Sequence, residues 1–119
     1  MDIYDYDSLL QMSDGYAVRE LEVHTFDWLA NRSLVDLNLS QEGILILGIR
    51  RSDGAYLGSP AGKTVILADN VLILYGRQPL LAELSHRERG TIGEGAHKHA
   101  MAAQRSILDD QTKRDVTFE

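Results

Sequence analysis

Two stretches of this chain leave little freedom in how it can fold. Gly43 to Arg51 reads GILILGIRR, and Val71 to Tyr75 reads VLILY. Unbroken apolar runs of this length, bounded by turn residues, mark strands covered on both faces rather than strands with one wet face. Such strands sit centrally in a sheet, and the sheet then needs material on either side. A chain of 119 residues is one domain by length, and it offers only short helices as cover. A second subunit is the simplest source of the rest.

Local signals place the other elements. Tyr16 to His24 is a first strand, and Val18, Leu21 and Val23 break its parity, so a bulge or two-sided cover is expected there. Ser33 is an N-cap for a short helix carrying Leu34 and Leu37 on one face, with Asp36 at its positive end and Gly43 as terminator. Ser52-Asp53-Gly54 is a hairpin turn, so Ala55 to Gly58 should return antiparallel. Ser59 to Lys63 is a loop, and Gly76 ends the second apolar strand. Pro79 suits the first turn of a helix bearing Leu80, Leu81 and Leu84. Residues 89–95, RGTIGEG, read as a glycine-rich linker. A last helix from about Glu94 to Asp110 carries Ala96, Ala100, Ala103 and Ile107, a stripe so narrow that it docks lightly or pairs with another chain. The final TKRDVTFE reads as frayed.

The expected architecture is therefore α+β: a β-α-β-β-β-α unit with a four-stranded mixed sheet, plus a short N-terminal helix and a C-terminal helix. Its segments are an acidic leader at 1–13, a folded unit at 14–88, and a linker with helix at 89–119.

The net charge of −6 argues against a polyanion-binding surface, so no nucleic-acid partner is expected. Without cysteine there is no disulfide and no thiolate metal site. No apolar stretch approaches the roughly 20 residues that span a bilayer. The first residues also lack the basic start and apolar run of a signal peptide. A soluble, cytoplasmic segment without direct membrane insertion is expected.

Most local hints of chemistry dissolve on inspection. GSPAGKT (58–64) ends like a phosphate-binding loop, but Leu57 stands where that loop needs glycine, and VIL follows instead of a helix. His97 and His99 point about 200° apart on a helix, so they read as a solvated face, with no metal expected there or at His86. His24 reads as structural. Ser59 has no local base, no nucleophile elbow occurs, and the carboxylates scatter as solubilising charges, so no catalytic residue and no enzyme activity are expected. Arg50 and Arg51 differ in that they end a buried strand, one on each side. A guanidinium held there either grips a phosphate or carboxylate, or serves as a rim charge.

An ordered set of motifs resembles the TrkA-C (RCK C-terminal) domain of potassium transport regulators. It comprises Val18-Arg19-Glu20, Asn31-Arg32-Ser33-Leu34-Val35-Asp36-Leu37, Ile44 through Arg51, Pro60 with Thr64-Val65-Ile66, and Asp69 through Gly76. Asn31 replaces the family's glycine, and Ala68 its usual proline or glycine. The resemblance implies a cytoplasmic sensing module that dimerises and passes ligand occupancy to a membrane cation channel or transporter, on the same longer chain or on another. In some relatives the dimer cleft binds cyclic di-AMP; in others it binds a divalent cation, another small ligand or nothing known. The usual Rossmann partner domain is missing from this chain. Carried onto this sequence, the candidate cleft residues are Asn38, Ser40, Gln41, Arg50, Arg51, Ser59 and Pro60, with Glu42 expected to repel a phosphate. No cofactor is implied with certainty. Two alternatives are a purely structural dimerisation module and an ACT-like small-molecule sensor, which would need a helix between the third and fourth strands.

Overall fold

The computed structural model describes residues 15–117, so the leader at 1–13 and its expected helix lie outside the described residues. Strands β1 (Tyr16–Glu22), β3 (Leu45–Arg50), β4 (Tyr56–Gly58) and β6 (Val71–Arg77) form one sheet in the order β1-β6-β3-β4. A second, two-stranded ladder joins β2 (Arg32–Ser33) to β5 (Val65–Ile66). The helices are α1 (Leu34–Leu37), α2 (Gln78–His86) and α3 (Thr91–Thr117), and a 3₁₀ turn covers Leu39–Glu42. The class is α+β with a four-stranded sheet, as the sequence predicts.

The sheet expected to be mixed is antiparallel throughout. β4 and β6 do run in the same direction, but β3 lies between them, so no parallel ladder forms. The 59–70 excursion that returns the chain to the start of β6 holds β5 and turns, with no helix. The strand order of an ACT-like sensor is therefore not met.

The Asp-Gly hairpin forms as read. Arg51 N–H donates to the Ala55 carbonyl, and Gly54 closes the turn at φ 92°. Ser33 Oγ accepts from the Asp36 N–H and caps α1, which makes a single turn rather than two because Asn38 leaves it in the left-handed region, at φ 53°. Asn31 also has positive φ, 63°. Asparagine is among the few residues that take this conformation readily, which explains how it stands in for glycine there. Pro79 lies in the first turn of α2.

Three strand details differ from expectation. The bulge is in β3, between Ile46 and Gly48, whereas β1 pairs with β6 in regular register. Val23 lies beyond β1, buried with Leu21 and tied to Asn70 and Asp69 through the backbone, and Val18, on the opposite sheet face, is what breaks the parity. Gly76 does not end β6 but lies inside it, packed so closely against Leu81 and Ile44 that a Cβ would crowd both.

The register sorts the sheet into two faces. Ala17, Leu21, Leu72, Leu74 and Ile49 point into the core, which Trp28, Leu37, Ile44, Ile66 and Leu84 complete. The opposite face carries Val18, Ile73, Tyr75, Leu45 and Tyr56, and Tyr16 stacks on Tyr75 at 5.6 Å. Leu45 is 52% exposed and Tyr56 56% exposed. The two apolar runs therefore have one covered face and one half-open face among the described residues. Periodicity could not separate burial within one chain from burial against other material.

Helix α3 is longer than expected and starts inside the glycine-rich stretch. Gly93 makes this possible, because a Cβ there would strike the Glu88 carbonyl and crowd the Trp28 ring. Gly93, His97 and Ala100 are buried at helical spacing, so the helix docks firmly at its start. It runs on through the TKRDVT stretch expected to fray, with the side chains of 108–115 exposed. Among the described residues no helix is long and apolar enough to cross a membrane.

Candidate functional site

A groove of about 320 Å³ opens between α1 with its 3₁₀ turn and the start of β3, under the loop at Pro60 and Gly62. Backbone geometry builds its walls. Leu34 and Val35 N–H groups donate to Thr64 and Gly62 carbonyls at 3.0 and 2.8 Å, fastening the loop over α1. Left-handed residues on either side of the 3₁₀ turn, Asn38 and Gly43, reverse the chain into β3. Leu34, Leu39, Ile44, Leu45 and Ile46 make the groove apolar, and Asn38 and Ser40 supply polar groups. Among the described residues, no charged side chain lines it.

Of the residues singled out from sequence, Asn38, Ser40 and Pro60 come together in this groove. Gln41 is exposed on the 3₁₀ turn outside the lining. Ser59 precedes the groove, its N–H held by the Leu47 carbonyl at 2.9 Å. The arginines lie at the opposite end of β3 from Leu45. Arg50 is on the half-open sheet face, 3.9 Å from Glu20. Arg51 is held within the fold, donating to the Val65 carbonyl at 2.8 Å and Asn70 Oδ1 at 2.7 Å. Strand alternation could show that both end a strand, but not which end of the strand meets the groove.

Glu42, expected to repel a ligand phosphate, is instead fully buried and absent from the groove lining. Its carboxylate accepts two hydrogen bonds of 2.9 Å from Arg87 and a third contact from His97 Nδ1. Arg87 also donates to Glu83 and lies 4.6 Å over the Trp28 ring. Burial alone would lower its pKa. The hydrogen bonds and charges of Glu42 and Glu83 outweigh that and hold the guanidinium above its ordinary range. Trp28 Nε1 donates to Glu94 at 2.9 Å, and Arg32, itself 4.6 Å over the indole, pairs with the same carboxylate at 3.2 Å. A charged cluster around the single tryptophan thus ties α3 to the domain.

His97 belongs to this cluster, contrary to the expectation of a solvated His97/His99 face. His99 and His86 are exposed, as is His24, which lies past the end of β1. Among the described residues no group of three His, Cys, Asp or Glu side chains is placed to hold a metal ion. The Gly62-Lys63-Thr64 segment is a turn into β5 and does not open a helix.

The cluster has a pH signature. The hydrogen bond from Trp28 lowers the Glu94 pKa from the ordinary 4.5, against partial desolvation and with the charges of Arg32 and His97 assisting. A carboxylate lowered in the fold adds stability that is present above its unfolded pKa and lost as pH falls through the folded value. Melting temperature should therefore drop as pH is taken below about 4.5, and Glu94→Gln should flatten that part of the profile. The side chain is half exposed, so the effect is small. Identical acid profiles for the two proteins would contradict this.

The groove and sheet can be set beside known proteins. The TrkA-C domain profile matches residues 18–87, from β1 through the end of α2, and leaves α3 outside. The RCK C domain of the potassium transport protein KtrA, in complex with cyclic diadenosine monophosphate, is 25% identical with a TM-score of 0.54, covering 66% of this chain and 89% of that one. The RCK_C domain dimer of S. agalactiae BusR in complex with c-di-AMP is 23% identical with a TM-score of 0.52, covering 58% of this chain and 91% of that one. S. agalactiae BusR in complex with its busAB-promotor DNA is 21% identical with a TM-score of 0.54, covering 71% of this chain and 38% of that one. No curated protein matches the chain. With more than half of its length matched by one family profile, over the strands and helices that build the groove, the chain belongs to the TrkA-C domain family.

Proposed function

We propose that this chain is a ligand-sensing regulatory domain of a potassium or other cation transport system, working as a dimer in the cytoplasm beside a membrane channel or transporter. The unit is 14–88, with 1–13 as a leader and 89–119 as an appended segment. The observation that carries the reading is the groove, which is apolar along its walls and polar at Asn38 and Ser40. That combination suits a flat heterocycle with a few hydrogen-bonding edges. The KtrA complex supports cyclic di-AMP as the first ligand to test. A two-fold ligand fits a site completed by a second copy, for which the half-open sheet face offers apolar surface.

The lining, uncharged among the described residues, favours a second reading, a structural dimerisation module that takes no ligand. Arg50 and Arg51 do not reach the groove, so a phosphate would rely on Asn38, Ser40 and backbone N–H groups. A thermal-shift titration separates the two. Ligand at about 100 times its Kd stabilises by about 2.7 kcal/mol, a rise on the order of 10 °C for a domain of this size. Cyclic di-AMP should raise the melting temperature, linear pApA should not, and Leu45→Glu in the groove wall should abolish the rise. A flat response to cyclic di-AMP at millimolar concentration would rule out that ligand, and a flat response across nucleotides and divalent cations would leave the structural reading.

A further inference from the structure

The 3₁₀ turn at Leu39–Glu42 faces two ways. Its first residues, Leu39 and Ser40, line the groove, and its last, Glu42, is the buried acceptor for His97 on α3. At each end the backbone enters the left-handed region, at Asn38 (φ 53°) and Gly43 (φ 88°). Backbone bonds close the turn on itself. Gln41 N–H donates to the Asn38 carbonyl, Gly43 N–H to Ser40 and Ile44 N–H to Leu39, at 3.0–3.1 Å. Gln104 of α3 lies directly over Gly43, so close that a Cβ there would strike its side-chain amide. The turn is a short segment flanked by left-handed residues; its Glu42 carboxylate bonds to His97 of α3, and Gln104 of α3 packs over its Gly43 end.

We propose that groove occupancy and the docking of α3 are coupled through this turn, which makes α3 the element that reports the state of the groove. A ligand that contacts Ser40 and Leu39 holds the turn, the held turn presents Glu42 to His97, and α3 docks more tightly. By thermodynamic reciprocity, a docked α3 raises the affinity of the groove by the same factor. Because α3 lies outside the segment matched to the family, this output is a property of this chain's own extension. The ligand arm of the test below rests on the groove reading given above; the ligand-free arm does not.

The test uses the full chain with His97→Ala, and His97→Asn as the conservative variant that keeps a hydrogen-bonding atom near the Nδ1 position. In the ligand-free protein, hydrogen exchange at the Gln41, Gly43 and Ile44 amides should speed up in H97A by on the order of tenfold, together with α3. The Asn38 amide, bonded to Leu34 within α1, and the β6 amides should stay unchanged. H97N should recover most of the protection. Faster exchange in α3 with an unchanged turn would overturn the proposal. If H97A loosens β6 as well, Gln104→Ala, which uncovers Gly43 without touching the charged cluster, takes its place with the same two outcomes. In the second arm, cyclic di-AMP should bind H97A about tenfold more weakly than the parent and slow α3 exchange in the parent. Equal affinity for parent and H97A would overturn the coupling. No binding to the parent would overturn the cyclic di-AMP reading instead, and the exchange result then decides the coupling alone.

Discussion

Replacing Glu42 by alanine should cost this domain about 3–5 kcal/mol, read as a lower urea midpoint. The size follows from what is left behind. Arg87 has a side-chain exposure of 1% and would keep its charge with two of its hydrogen-bond acceptors gone. Breaking one side of a buried pair strands the other, and that is worse than removing both. Glu83 stays to accept from Arg87, which puts the expected loss toward the lower end of the range. The double variant E42L/R87M should therefore be more stable than E42A alone. An E42A protein as stable as the parent, or a double variant no better than E42A, would show that the pair is not desolvated as the structure has it.

Trp28→Ala should be comparably severe, about 3–5 kcal/mol, for a different reason. The indole is 1% exposed, and it lies under Arg87 and Arg32, beside His97, with its N–H on Glu94. Its removal opens a cavity and deprives α3 of its main docking surface at the Gly93 and Glu94 end. A helix with two glycines in its first turns has little stability apart from that packing. W28A should therefore lose helical circular dichroism below its melting transition, whereas a core truncation remote from α3, such as Leu74→Ala, should lower the melting temperature without that loss. A W28A protein that keeps full helical signal up to its melt would contradict this account.

Most of the fold was legible because its signals are local. Ser33, the Ser52-Asp53-Gly54 turn and Pro79 each act within a few residues and do in the structure what their chemistry predicts, and the two apolar runs form the central strands β3 and β6, with one face half-open instead of covered. The charged cluster was not legible. Glu42, Arg87 and His97 are separated by 45 and 55 positions along the chain, and a lone charged residue reads by default as solvated. Trp28, which organises them, sits in a stretch of tight turns with no periodicity to mark it. The β2–β5 ladder is two residues long on each side, too short to register as alternation. Half of the groove was within reach: the capped helix start and Pro60 point to it. Arg50 and Arg51 drew attention because they end a buried strand, but a strand has two ends, and the sequence does not say which one faces the loop.

The single 27-residue helix that ends the described chain has a mechanical consequence. At about 1.5 Å per residue, α3 reaches about 20 Å beyond Gln104, which lies over Gly43. It is held against the domain from Gly93 to Gln104 and bears only exposed side chains over 108–115. A tilt of about 10° there would sweep its tip through about 3 Å. Under the coupling proposed above, the helix would act as a lever that carries a change at the groove outward to its exposed tip.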